Sequence, residues 1–147
     1  MSDKIFIDTN VLVYARDSSE PAKQVQAASW MEFLWRTQRG CLSTQVLNEF
    51  YYTVTQKLKP GMPADAAWEE VSDLMTWQPL SIDAALLHET HTIQLRYGYA
   101  WWDSMIIAAA QRSKARILLS EDMQDGHELR GLRIVNPFET SPTALNA

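Results

Sequence analysis

Residues 4–10, KIFIDTN, decide how this chain is read: Ile5, Phe6 and Ile7 run without a polar break into Asp8, Thr9 and Asn10. A short apolar run with no alternation is the pattern of a strand covered on both faces. The acid at its carboxyl end either caps the next helix or binds something. Those two roles lead to different proteins.

Outward from that strand the pattern recurs. Short apolar runs stand at Trp77 to Ile82, Arg116 to Ser120 and Leu132 to Val135, with helix-length patterns between them. In residues 44–58, Val46, Leu47, Phe50, Tyr51, Val54 and Leu58 share one stripe, after a start signal at Ser43/Thr44 and before Lys59-Pro60-Gly61. Residues 64–75 are amphipathic, with Ala67, Trp68, Val71, Leu74 and Met75 opposite Glu69, Glu70 and Asp73. Two further helices are expected at 22–39 and 83–97, and 103–112 is apolar nearly all round, as in a central helix packed on a sheet. Strands alternating with helices predict an α/β fold with a largely parallel sheet, whose sites lie beyond the carboxyl ends of the strands. Asp8 stands at such an end.

The composition sets bounds. A chain of 147 residues, 46% hydrophobic and 21% charged, suits one ordinary domain, read as residues 1–139 with 140–147 as a loose tail. Cys41 is the only cysteine, which excludes an internal disulfide and a thiolate zinc cluster and suits a reducing compartment. The N-terminus has no apolar signal-like region and nothing approaches a membrane span, so a soluble, cytoplasmic protein without a membrane partner is expected. Thirteen Lys and Arg against eighteen Asp and Glu give a net charge of −5, which repels a polyanion at long range. That objection weakens if the acids surround a divalent cation, because the ion inverts the local field.

Four acids are candidates for such a site. Asp8 ends the first strand, and Thr9 and Asn10 can cap the following helix in its place. Glu49 borders the apolar stripe of its helix, one turn after Val46. Asp103 opens the most apolar helix, four residues before Ile107, where the helix dipole also favours an acid as cap. Glu121 and Asp122 follow Ile117-Leu118-Leu119-Ser120, repeating the strand-then-acid arrangement of Asp8. Each has an ordinary structural role when taken singly. Gathered together, they raise one another's pKa values unless a cation sits among them. Oxygen-only ligands suit Mg²⁺ or Mn²⁺, and the chemistry implied is metal-assisted phosphodiester hydrolysis.

The segments FIDTNVLVYA, LNEFYY, YAWWDSMIIAAA and ILLSEDMQDG, in that order from Ile5 to about Pro137, resemble the PIN-domain ribonucleases, and most of all the VapC-type toxins of toxin–antitoxin pairs. The resemblance implies a three-layer α/β/α fold with a mostly parallel sheet and an acidic pocket that holds Mg²⁺ or Mn²⁺ and cuts RNA. It implies Asp8, Glu49, Asp103 and Asp122 as the metal-binding and catalytic acids, with Glu121 or Asp125 able to share the fourth position. Ser120 and Asn10 match polar residues that orient the ligand carboxylates. It further implies a cognate antitoxin protein and a homodimer. The alternatives are a non-toxin PIN-domain nuclease, a binding module of the same fold that holds RNA or protein without cutting, and a receiver-like domain. The last would want paired acids beside the first strand and a late lysine, which the chain lacks.

Other features read as structural. His88 and His91 lack the HExxH spacing of a zinc site, and His91 shares a stripe with Leu87 and Leu95 that suggests helix packing. At least one of Trp101 and Trp102 is expected in the core. Arg16, Lys23, Arg96 and Arg112 are candidate phosphate contacts that sequence cannot place on one face.

Overall fold

The computed structural model describes residues 3–145. In chain order its elements are β1 (Ile5–Ile7), α1 (Thr9–Tyr14), α2 (Pro21–Thr37), β2 (Gly40–Cys41), α3 (Thr44–Tyr52), α4 (Ala64–Leu74), α5 (Ala84–Tyr97), α6 (Trp101–Arg112), β3 (Ile117–Leu119), β4 (Glu128–Leu129), β5 (Leu132–Val135) and α7 (Pro142–Leu145). The strands form one five-stranded sheet in the order β2-β1-β3-β5-β4. Every pairing is parallel except β4 with β5. All three residues of β1 are fully buried, which requires helices on both faces of the sheet. The fold is therefore the α/β architecture that the apolar runs predict.

Register then places the site. Ile5, Phe6 and Ile7 pair with Ile117, Leu118 and Leu119, so Asp8 and Ser120 emerge side by side at the carboxyl edge. The Asp8 amide donates to the Leu119 carbonyl at 3.0 Å and the Ser120 amide to the Val135 carbonyl at 3.1 Å, carrying the ladder one residue past both strands. From β1 the chain goes to β2 on one side and later returns to β3 on the other. The crevice between β1 and β3 is thus a topological switch point, where open α/β sheets place their ligands.

Several elements differ from the sequence reading. Trp77 to Ile82 is not a strand: Met75–Trp77 is a turn of 3-10 helix and Gln78 has a positive φ of 57°. Pro79 has no amide to donate, so only Leu80 pairs, bridging to Ser43 beyond β2. The edge position is filled by β2, only two residues long. The helix expected at 44–58 divides, α3 passing at Thr53–Lys57 into a π-helical turn. Helix α6 starts at Trp101, two residues before Asp103, with Trp101 half-buried and Trp102 62% exposed. On α5, His88, His91, Leu87 and Leu95 are all exposed, so the stripe through His91 does not pack: Leu86, Thr90 and Ile93 form the buried side.

Of the C-terminal stretch, Pro142–Leu145 forms one helical turn with Pro142 buried, and residues 146–147 lie outside the described part. The buried Trp30 of α2 holds the chain leading into it, its indole Nε1 donating to the carbonyls of Pro137 at 2.9 Å and Thr140 at 3.1 Å. Among the described residues no helix is long and apolar enough to cross a membrane.

Candidate functional site

Asp8 is the most buried of the candidate acids, at 6% exposure. It caps α1 after all: one carboxylate oxygen accepts from the Thr9 amide at 2.7 Å. The other accepts from the Ser120 hydroxyl at 2.8 Å. One side chain thus caps α1 and also ties β1 to the end of β3. Ser120 in turn accepts from the Asp122 amide at 3.2 Å, which fixes the turn that carries Asp122. Asn10, on the first turn of α1, donates from Nδ2 to the Asp122 carboxylate at 3.1 Å.

Glu49 approaches from α3. The residue is exposed, but its carboxylate turns toward the cleft, where the Thr9 hydroxyl donates to it at 3.5 Å. Asp103 arrives on the first turn of α6 and is half-buried. Electrostatics tie the acids together. Loss of solvent pushes Asp8 up to about 7 against the hydrogen bonds from Ser120 and Thr9, and the charges of Asp122 and Asp103 add to the rise. Asp103 is also raised, by burial first and then by Asp122. Glu49 is raised by loss of solvent and by Asp103, opposed by hydrogen bonds from Gln45 and Thr9. The charges of Asp103 and Asp122 thus reach Asp8, and that of Asp103 reaches Glu49, although the four acids are spread over more than a hundred positions of sequence.

The other two acids near the C-terminal turn have separate partners. Glu121 is ion-paired with Lys23 of α2. Asp125 accepts from the Asn136 amide at 2.9 Å, a turn contact beside β5. Of the cations singled out in the sequence, Arg16 pairs with Glu70 and Arg112 with Asp83 and Glu89, while Arg96 lies over the Tyr97 ring.

A hard divalent cation fits this cleft in charge and donor chemistry. Every candidate ligand is an oxygen, and burial together with neighbouring negative charge raises Asp8, Asp103 and Glu49, a penalty that a cation relieves. Asn10 Oδ1 adds an acceptor that is buried without a hydrogen-bond partner. Among the described residues, however, no three His, Cys, Asp or Glu side chains are grouped closely enough to hold an ion as they stand.

Four residues near the acids escaped the sequence reading. Thr9 was legible only as a cap, yet its hydroxyl reaches Glu49 from 40 residues away. Gln45, buried on α3, donates to the Trp102 carbonyl at 3.3 Å and hydrogen-bonds Glu49, linking the start of α6 to the α3 acid. Its position one turn before Glu49 is the signal that could have found it. Tyr99 and His127, joined at 2.7 Å between the hydroxyl and Nδ1, leave no local pattern.

Comparison with known proteins follows the same outline. No curated protein sequence matches. Among solved structures, the crystal structure of Mycobacterium tuberculosis VapC20, a sarcin-ricin loop cleaving toxin, superposes with a TM-score of 0.60 at 15% identity, covering 81% of this chain and 90% of that one. That likeness is one of fold. The PIN domain family model matches residues 5–124, a span that takes in β1, Glu49, Asp103 and the Ser120–Asp122 turn, and the chain accordingly belongs to the PIN domain family.

Proposed function

We propose that this protein is a Mg²⁺- or Mn²⁺-dependent endoribonuclease, the toxin of a toxin–antitoxin pair, with Asp8, Glu49, Asp103 and Asp122 as its metal-binding and catalytic acids. The observation that carries the proposal is the meeting of strand-end acids at the β1–β3 crevice, where Ser120 bonds Asp8 and the Asp122 amide, Asn10 bonds the Asp122 carboxylate, and the charge of Asp103 reaches Asp8, in a chain of the PIN family. A bound cation supplies an acidified water and neutralises charge on the phosphodiester. The chain's part is to hold the carboxylates. Ser120 and Thr9 fix both oxygens of Asp8, Asn10 aims Asp122, and Gln45 steadies Glu49. A cytoplasmic homodimer neutralised by a small antitoxin belongs to the same proposal.

The decisive assay incubates purified protein with a mixed RNA pool in Mg²⁺, in Mn²⁺ and in EDTA. Cleavage with either metal, none in EDTA and none by Asp103→Asn is the expected result. RNA binding without cleavage under every condition favours instead a binding module of the same fold that does not cut. For the toxin role, expression alone is expected to arrest growth, and co-expression of an adjacent short reading frame to restore it.

Ser120→Ala tests the support of Asp8. Removing its hydroxyl takes a hydrogen bond from Asp8 and an acceptor from the Asp122 amide, so Mn²⁺ affinity is expected to fall by about 10–100-fold, as titration calorimetry would record. Unchanged affinity would remove Ser120 from the orienting set.

A further inference from the structure

Away from the acidic cleft, α5, α6 and the β4–β5 turn enclose a cavity of about 280 Å³. Arg96 of α5, Arg112 of α6 and Arg130 of the turn all line it, with Glu89, Tyr97 and Gln111. Three guanidinium groups thus line one concavity in a chain whose net charge is −5. Arg112 is held by Asp83 at 2.9 Å and Glu89 at 2.8 Å. Arg96 and Arg130 have no carboxylate at ion-pair distance among the described residues. Two cations thus face the cavity unneutralised.

Their placement is built in. Arg130 and Gly131 join β4 to β5 with φ values of 51° and 86°, a two-residue turn in which Asn or Gly sits with less strain than Arg. An arginine held there is explained by its side chain better than by the turn. Gln111 clamps this hairpin to α6 by donating to the Leu129 carbonyl at 3.1 Å.

A continuous track runs from the cavity to the acids. Tyr97, in the cavity wall, packs edge-on against His127 with ring centroids 5.6 Å apart. His127 bonds the Tyr99 hydroxyl, and Tyr99 lies near enough to Asp103 to feel its charge. Asp103 and Arg112 stand nine positions apart on α6, about 14 Å along its axis, a span that a few nucleotides bridge.

We infer that the Arg96–Arg130 cavity is a phosphodiester-binding exosite for an RNA strand that extends from the acidic cleft along Tyr99, His127 and Tyr97. The inference rests on the nuclease reading above for its direction along the strand, and on the arginines for its chemistry. Guanidinium forks match phosphate oxygens, and aromatic rings accept bases of any sequence. An acidic peptide would use the same cations but has no need of the aromatic track, so RNA is the favoured occupant.

The test is the double variant Arg96→Gln/Arg130→Gln, at two exposed positions outside the acidic cleft. With an RNA of roughly 20 nucleotides, KM is expected to rise about tenfold at unchanged kcat, and the log–log salt slope to become shallower by about 1.4, two single-strand phosphate contacts. An oligonucleotide too short to reach the cavity should be cut equally by both proteins. Equal KM and slope on the long RNA would overturn the exosite. So would tight binding of inorganic phosphate with unchanged RNA affinity, or a change in oligomeric state with unchanged RNA affinity. If the parent cuts neither RNA, the nuclease reading fails by itself, and binding of the long RNA in EDTA by parent and double variant still decides the exosite.

Discussion

Asn in place of Asp8 is expected to lower RNA cleavage by about 10³-fold or more while leaving the metal-free protein more stable than the parent at pH 8. The two effects share one cause. Burial raises the Asp8 carboxyl from 3.8 to about 7, so the folded chain prefers it protonated. Between those values the native state holds more proton than the unfolded state. The stability that the protonated carboxyl contributes is therefore present below about 4 and is lost as pH rises through 7. A rise of about three units bounds the loss at roughly 4 kcal/mol. Asn keeps the shape and caps α1 as well as Asp does, but carries no charge to desolvate. Urea unfolding in EDTA at pH 5 and pH 8 should therefore show a slope for the parent and a much smaller one for Asp8→Asn. Adding Mn²⁺ at pH 8 should stabilise the parent alone, because the ion binds the ionised native cleft. Identical pH slopes in the two proteins would mean that Asp8 is not the buried titrating group, and with it the electrostatic case for a cation site fails.

What could be read from the sequence follows from which physics is local. The apolar run at Ile5–Ile7 and its repeat at Ile117–Leu119 each declare a doubly covered strand, and each ends in polar residues, so the acidic edge was visible before any pairing was known. Glu49 and Asp103 needed helical periodicity as well, since only the stripe of their helices aims them at the sheet edge. Choosing Asp122 over Glu121 was beyond periodicity, because adjacent residues in a turn have no fixed face. In the structure Glu121 pairs with Lys23 and Asp122 accepts from Asn10, and both contacts are tertiary. The failures have the same origin. Trp77 to Ile82 is apolar enough for a strand, but Gln78 in the left-handed region and Pro79 leave only Leu80 to pair. Strand β4 was hidden because Arg130-Gly131 lacks the Asn-Gly signal of its turn type. On α5, periodicity grouped Leu87, His91 and Leu95 correctly, yet a stripe does not say whether another element arrives to cover it.

The second large effect lies far from the acids. Trp30→Ala is expected to destabilise the protein by about 3–5 kcal/mol, a large part of the roughly 5–15 kcal/mol that holds an ordinary domain folded. The indole is fully buried between α2 and the chain that follows β5, and stands edge-on to Phe33 with centroids 6.0 Å apart. Its Nε1 is also the donor for the carbonyls of Pro137 and Thr140, so truncation leaves a cavity and two unserved acceptors. Trp30→Phe separates the two contributions, since it keeps most of the ring and removes only the donor; a loss of about 1–2 kcal/mol is expected there. Trp30 touches none of the four acids. Per folded molecule, measured at low temperature where both variants remain native, RNA cleavage should therefore match the parent, whereas Asp8→Asn should stay folded and inactive. If Trp30→Phe remained fully folded yet lost cleavage, the anchoring of the C-terminal segment would be part of the catalytic machinery, and the division between a fold secured by β1, β3 and α2 and a site secured by Ser120 and Asn10 would not hold.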